Sequence, residues 1–135
     1  MAKLYRSREG TVTAVDTKTQ LTTLGSETAP GPLLVPAQAK MLKAIIAATA
    51  SNFAVAADGS FLIRLEGPGL PEGPETLAVG SAGVAVATGG HFNTPAIRVE
   101  LDIPVTPANE ILLFAENVGE DIGEVTIGVT LEFSI

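Results

Sequence analysis

The chain is predicted to be all-β: one domain spanning residues 1–135, folded as an antiparallel sandwich of eight to ten strands. Three observations carry that prediction. From Val125 to Ile135, the apolar residues Val125, Ile127, Val129, Leu131, Phe133 and Ile135 alternate with Thr126, Gly128, Thr130, Glu132 and Ser134. That is period two over a whole segment, the pattern of a half-buried strand. Ile97, Val99, Leu101, Ile103 and Val105 repeat it against Arg98, Glu100 and Asp102. Finally, 14 glycines and 9 prolines punctuate the chain at intervals of strand length, while only one stretch has the composition of a helix.

The remaining elements follow in order. Residues 1–10 are read as a basic arm or an edge strand. Thr11 to Thr17 is a strand, Lys18-Thr19-Gln20 a polar turn, Leu21 to Leu24 a strand and Gly25 to Pro32 a loop. Leu33 to Val35 is a short strand closed by Pro36. Ala37 to Leu42 has helix formers after a proline suited to a first helical turn, so a short helical turn is expected there. Ala44 to Ala56 is read as a strand because Asp58-Gly59 is a strong hairpin signal and Phe61 to Glu66 supplies a second strand. Gly67 to Pro74 holds three glycines and three prolines in eight residues and is a loop. Thr76 to Val79 and Gly83 to Thr88 are short strands around Gly80-Ser81-Ala82, and Gly89 to Pro95 is a second loop. In the strand Ile111 to Glu116 both faces are apolar, so it is central with both sides covered or lies at a subunit contact.

Composition excludes several classes of function. The chain has no cysteine, hence no disulfides, thiolate catalysis or thiolate zinc site. Fifteen acidic against eight basic side chains give a net charge of −7, which opposes nucleic-acid binding. Lys3, Arg6 and Arg8 are the only cluster that could touch a polyanion. The N-terminus lacks the apolar stretch of a signal peptide, and no run is long enough for a membrane span, so the expected location is a virion or the cytoplasm.

No catalytic constellation emerges. His91 is the single histidine, with no serine in a G-x-S-x-G setting and no second imidazole for a metal. There is no phosphate-cradling glycine loop. No cofactor is expected. Glu116, Glu120, Asp121 and Glu124 form an acidic cluster of the kind that can hold calcium, but their spacing matches no calcium-loop pattern, and mutually repelling carboxylates on a solvated turn are the favoured reading. Glu100 and Asp102 are a carboxylate pair on one strand face, yet the aromatic platforms of sugar sites are nearly absent, with no Trp and one Tyr.

Charged residues are 17% of the chain, well below the usual ~25%. So neutral a surface suits contact between subunits, or else a deep sandwich core with Thr, Ser and Gly outside. Candidate contacts are Leu112 and Phe114 on the two-faced strand, Thr126 and Thr130 on the nearly uncharged outward face of the last strand, and His91 and Phe92 in a loop at one end. The I-x-V-x-L-x-I-P-V-x-P-x-N-x-I run of residues 97–111 and the closing V-T-I-G-V-T-L-E-F, with the Gly/Pro loops and small basic arm, resemble single jelly-roll viral capsid or capsid-decoration proteins over Leu33 to Ile135. The resemblance implies two facing antiparallel sheets and a non-enzymatic protein that self-assembles, as trimers, pentamers or shells. An arm with three positive charges departs from many icosahedral coats and does not imply genome binding. The alternative is a carbohydrate- or ligand-binding sandwich using the loops Gly67 to Pro74 and Gly89 to Pro95.

Overall fold

A computed structural model describes residues 2–12, 17–22, 31–52, 59–81, 91–93, 97–119 and 125–135. Among them are ten strands and no helix: β1 (Lys3–Val12), β2 (Thr19–Gln20), β3 (Leu33–Leu34), β4 (Met41–Asn52), β5 (Gly59–Glu66), β6 (Glu75–Ser81), β7 (His91–Asn93), β8 (Ile97–Pro104), β9 (Glu110–Gly119) and β10 (Val125–Ser134).

The first half of the chain pairs with the second in nested order. β1 pairs with β10, β2 and β3 with β9, β4 with β7 and β8, and β5 with β6, all antiparallel. Two further ladders, β10 with β4 and β9 with β5, close this rolled hairpin into two sheets. Sheet A runs β1-β10-β4-β8, with β7 continuing the β8 edge, and sheet B runs β2/β3-β9-β5-β6. That connectivity is the jelly roll, an antiparallel β-sandwich. Each strand turns its period-two apolar face inward. Ile127, Val129, Leu131 and Phe133 of β10 meet Ile111 and Leu113 of β9 and Ile63 and Leu65 of β5 in one core, all at most 1% exposed.

Several local expectations give way to this topology. The N-terminal segment is an edge strand, in register with β10 from Lys3↔Ser134 to Val12↔Val125. Residues 37–42 form no helix. A single turn bonds Ala39 N to Pro36 O at 3.0 Å, and Met41 and Leu42 already belong to β4. Leu42 is fully buried and paired on both sides, and that tertiary gain outweighs a propensity of tenths of a kcal/mol per residue. The hairpin expected across Asp58-Gly59 is absent, because β4 has both edges occupied by β10 and by β7 and β8. The chain therefore crosses to sheet B, where β5 pairs with β9 and β6. Asp58 itself lies outside the described residues, as do residues 83–88. Thr19–Gln20 is a two-residue strand on β9 instead of a turn, and Leu21 and Thr22 follow it outside any strand. Gly80 and Ser81 continue β6 instead of breaking it, and His91–Asn93 is a strand instead of loop. In each of these cases an available ladder partner satisfies backbone groups that a loop would leave to water.

One end of the sandwich is stitched by backbone hydrogen bonds. Val35 N donates to Asn109 O at 2.9 Å, Gly69 N to Glu110 O at 2.8 Å and Thr106 N to Gly69 O at 2.9 Å, and Leu70, only 4% exposed, plugs the core beneath them. Both termini lie at this end, with Ile135 N donating to Ala2 O at 3.4 Å. Gly67 has φ +112°, and a Cβ there would sit 2.7 Å from Glu110 O and 2.8 Å from Leu112 Cδ1. Gly67→Ala is expected to cost about 2–3 kcal/mol, since strain and collision add. Gly73→Ala, at φ +104° with nothing within 4 Å, pays only the strain. Chemical denaturation of the two variants checks this; equal losses would remove the steric part of the account.

Candidate assembly face

The outer face of sheet A is built from register rows. Tyr5, Glu132, Ala44 and Glu100 form one row, and Ser7, Thr130, Ile46 and Arg98 the next. Beyond them, Glu9, Gly128 and Ala48 stand side by side, then Thr11, Thr126, Ala50 and Asn93. β10 is therefore the second strand of the sheet, flanked on both sides, which is why it can present so few charges without risking edge pairing. Along it Thr126 is exposed, Gly128 and Thr130 are half-buried, and Glu132 and Ser134 are buried. The hydroxyls of Ser7 and Thr130 lie 2.7 Å apart across the β1–β10 ladder, and those of Thr11 and Thr126 3.4 Å apart.

Near the terminal end a charged clasp crosses the whole sheet. Glu132 is 1% exposed, although its strand position points away from the core. Tyr5 Oη donates to Glu132 Oε1 at 2.8 Å, Lys3 Nζ lies 3.3 Å from the same oxygen, and both terminal nitrogens of Arg98 donate to the carboxylate, Nη1 at 3.4 Å to Oε1 and Nη2 to Oε2. Arg98 Nε also bonds Glu100 Oε1 at 2.5 Å. Arg98 stands opposite Ile46 on β8, so its guanidinium must pass β4 to reach β10. Both β4 ladders shift register there, between Leu42 and Ala44, and Ala44 is a small, fully buried residue on the row of Glu132. The Arg98 guanidinium, then the Tyr5 hydroxyl, hold the Glu132 carboxyl down at about 2, against the opposing effect of burial. Bonding to Glu132 in turn raises the Tyr5 hydroxyl above its ordinary range and holds the Arg98 cation more firmly charged. Sequence reading placed Glu132 among the outward polar residues of the last strand and named no partner for it. The available signal was that it is the lone charge on that face, with Arg98 on the other strongly alternating strand.

The candidate contact residues divide between opposite sides of the molecule. Thr126 and Thr130 lie on sheet A's outer face, Leu112 and Phe114 on sheet B's. Leu112 is half-buried and within reach of Gly67, while Phe114 carries Lys18 Nζ at 4.2 Å from its ring centroid, and Lys18 pairs with Glu66 at 2.9 Å. Phe114 thus already has a charged cover from its own chain. His91 and Phe92 stand on β7, opposite Asn52 and Ser51. Of the acidic cluster, Glu116 is on β9 opposite Leu62, and Glu120, Asp121 and Glu124 lie outside the described residues. Among the described residues no group of three or more His, Cys, Asp or Glu is placed to hold a metal. Glu100 and Asp102 are each engaged by a cation, Arg98 and Lys43, the latter at 2.7 Å. Of the basic arm, Lys3 joins the clasp, Arg6 bonds Tyr5 O and Arg8 reaches Gly31 O at 3.2 Å, so only exposed Arg6 is engaged solely by its own strand. No helix among the described residues is long and apolar enough to cross a membrane.

These features define an antiparallel jelly-roll β-sandwich with a clasped, nearly neutral outer sheet face. No family model matches the chain, and no curated protein matches it. Among solved structures it is similar to the globular domain of zebrafish complement 1qA protein, at 11% identity over 98% of this chain and 96% of that one, with a TM-score of 0.48. It is similar also to a structure of Bacillus endospore appendages, described as disulfide-linked pili, at 12% identity over 98% and 88% of the two chains, TM-score 0.36. A third is infectious bursal disease virus Gx strain, at 14% identity and TM-score 0.43, where the match covers 96% of this chain but only 32% of the viral one. At these identities and TM-scores the likenesses carry no assignment of function, and a chain without cysteine has no counterpart to a disulfide link.

Proposed function

We propose that this protein is a non-enzymatic structural protein that self-associates through symmetric contacts, as a capsid or capsid-associated component built of trimers or pentamers. The supporting observation is the outer face of sheet A. On a chain of net charge −7, its described residues carry three basic side chains, Lys3, Lys43 and Arg98, against four acidic ones, Glu9, Glu100, Asp102 and Glu132, and the three cations pair with Glu100, Asp102 and Glu132. Copies of an acidic chain can meet across a face with so little net charge at small electrostatic cost.

The alternative ligand-binding module has less support among the described residues. Gly67–Pro74 joins β5 to β6 at the terminal end, whereas His91–Asn93 pairs with Ala50–Asn52 at the other end of sheet A. Light scattering coupled to size exclusion is expected to find a species larger than the monomer at high micromolar concentration. Thr130→Lys, which places a cation on the face and breaks the Ser7 contact, is expected to shift it toward monomer and to lower the melting temperature. A strictly monomeric wild type would sink the proposal, and unchanged assembly of Thr130→Lys would remove this face from it.

A further inference from the structure

We infer that Arg6 and Arg8 close the free edge of β1 to a further strand, because each guanidinium caps a backbone carbonyl that an incoming strand would have to pair. The edge is thus a strand-pairing site kept latent by contacts within the chain. Its closure is independent of the self-association reading.

With ten residues, β1 is the longest strand at a sheet edge among the described residues, ahead of β8 with eight and β6 with seven. An unpaired edge of that length is a template for adding a strand. The phase of the ladder fixes which groups it offers. Ile135 N donates to Ala2 O, and the register runs without a shift from Lys3↔Ser134 to Val12↔Val125. The even-numbered residues of β1 therefore bond β10, and Lys3, Tyr5 and Ser7 turn their N–H and C=O groups away from it. Further along, the chain covers its own strand: a Cβ on Gly10 would lie 2.9 Å from Leu21 Cδ2, and Arg8 reaches Gly31 O at 3.2 Å and Pro32 O at 3.4 Å. The stretch left open is Lys3 to Ser7, where Lys3, Tyr5 and Arg6 are exposed.

On that stretch Arg6 Nη1 donates to Tyr5 O at 2.8 Å and Arg8 Nη1 to Ser7 O at 2.7 Å. Both arginines stand at core-side positions, opposite buried Leu131 and Val129 and on the same side of β1 as Leu4 and Val12. A guanidinium has five donors and no acceptor, and leaving it unpaired in an apolar core is costly. It turns out over the edge instead, where the nearest acceptors are the two outward carbonyls. The run Tyr5-Arg6-Ser7-Arg8 repeats the device, each arginine covering the carbonyl of the residue before it. A strand added here must first strip both carbonyls of charge-assisted bonds. Where that strand is β1 of a second copy, the arginines of the two edges also meet as like charges.

The test is Arg6→Thr in the full chain, since Arg6 bonds only Tyr5 O, whereas Arg8 also ties down Gly31 and Pro32. Arg64→Thr is the control: it removes the same charge from β5, which is flanked by β9 and β6. Light scattering measures association, and residue-resolved amide exchange locates it. Arg6→Thr is expected to keep the melting temperature of the dilute protein and to associate at a concentration roughly tenfold below wild type, about the worth of one net hydrogen bond. In the associated form the amides of Tyr5 and Ser7, open to exchange in wild type, should become protected. Arg64→Thr should behave as wild type. Unchanged association of Arg6→Thr overturns the inference, as does equal association of Arg64→Thr, which would make loss of charge sufficient. Association with Tyr5 and Ser7 still exchanging freely would place the contact elsewhere and also overturns it. So does a lower melting temperature of dilute Arg6→Thr, which would make Arg6 a support of the fold. A monomeric wild type beside an associating Arg6→Thr sinks the self-association reading and supports this one.

Discussion

Truncating Phe133 to alanine is expected to destabilise the fold by about 3–5 kcal/mol, the range for a fully buried phenylalanine whose site cannot collapse. Phe133 has no exposed surface, lies between Leu4 of β1 and Leu42 of β4, and sits in the core that joins both sheets. Its neighbours on either side are held by ladder hydrogen bonds, so they cannot move in to fill the space. For a domain with total stability of about 5–15 kcal/mol the loss is a large fraction of the whole. The midpoint of urea unfolding should fall with little change in slope. A loss below about 1 kcal/mol would mean that the two sheets do not pack tightly at this end.

The second large effect concerns the clasp. Arg98→Leu leaves Glu132 buried with its main partner gone, and the uncompensated carboxylate should lower the melting temperature sharply. Replacing both, as Arg98→Leu with Glu132→Leu, removes the charge along with its need, so the double variant is expected to recover part of the loss. A double variant less stable than Arg98→Leu alone would contradict the geometry described above. The same site sets an acid limit. The Glu132 carboxyl is held at about 2 against an ordinary 4.5, so the ionised form is favoured by folding. Its contribution is complete above about pH 4.5 and is lost as pH falls from there toward 2. In Glu132→Gln this part of the acid destabilisation should vanish, which melts at a series of pH values would reveal. Tyr5 works in the opposite sense: its raised hydroxyl favours the neutral form, so its contribution is present below its ordinary value of 10 and fades as pH rises beyond it.

Most of the strands were legible because burial on one face leaves a local record. β8, β9 and β10 could be read nearly residue by residue from apolar alternation, and the both-sided apolar character of β9 matches a central strand with a buried inner face and half-buried Leu112 and Phe114. The misreadings share one cause. At Met41 and Leu42, at Thr19 and Gln20, and at His91 and Phe92, local chemistry argued for helix, turn or loop, and a partner strand distant in sequence overrode it. Asp58-Gly59 misled for the same reason, since hairpin propensity cannot register that both edges of β4 are taken.

The candidate face divides along the same line. That the outward side of β10 is small and nearly uncharged is written in Thr126, Gly128, Thr130 and Ser134, and it led to the expectation that this side is covered. What lies around it was not legible. Glu132 is covered by Tyr5 and Lys3, more than a hundred residues earlier, and by Arg98, reaching past the β4 bulge. By itself, then, the sequence determined the long alternating strands and which side of each faces the core, because the pleat makes inside and outside a property of adjacent residues. Only the tertiary structure decided which strands are neighbours, which edges are taken, and where the one charge on β10's outer face finds its partners. Those are outcomes of long-range pairing, in which the whole chain competes for each ladder, and no short window of residues holds that information.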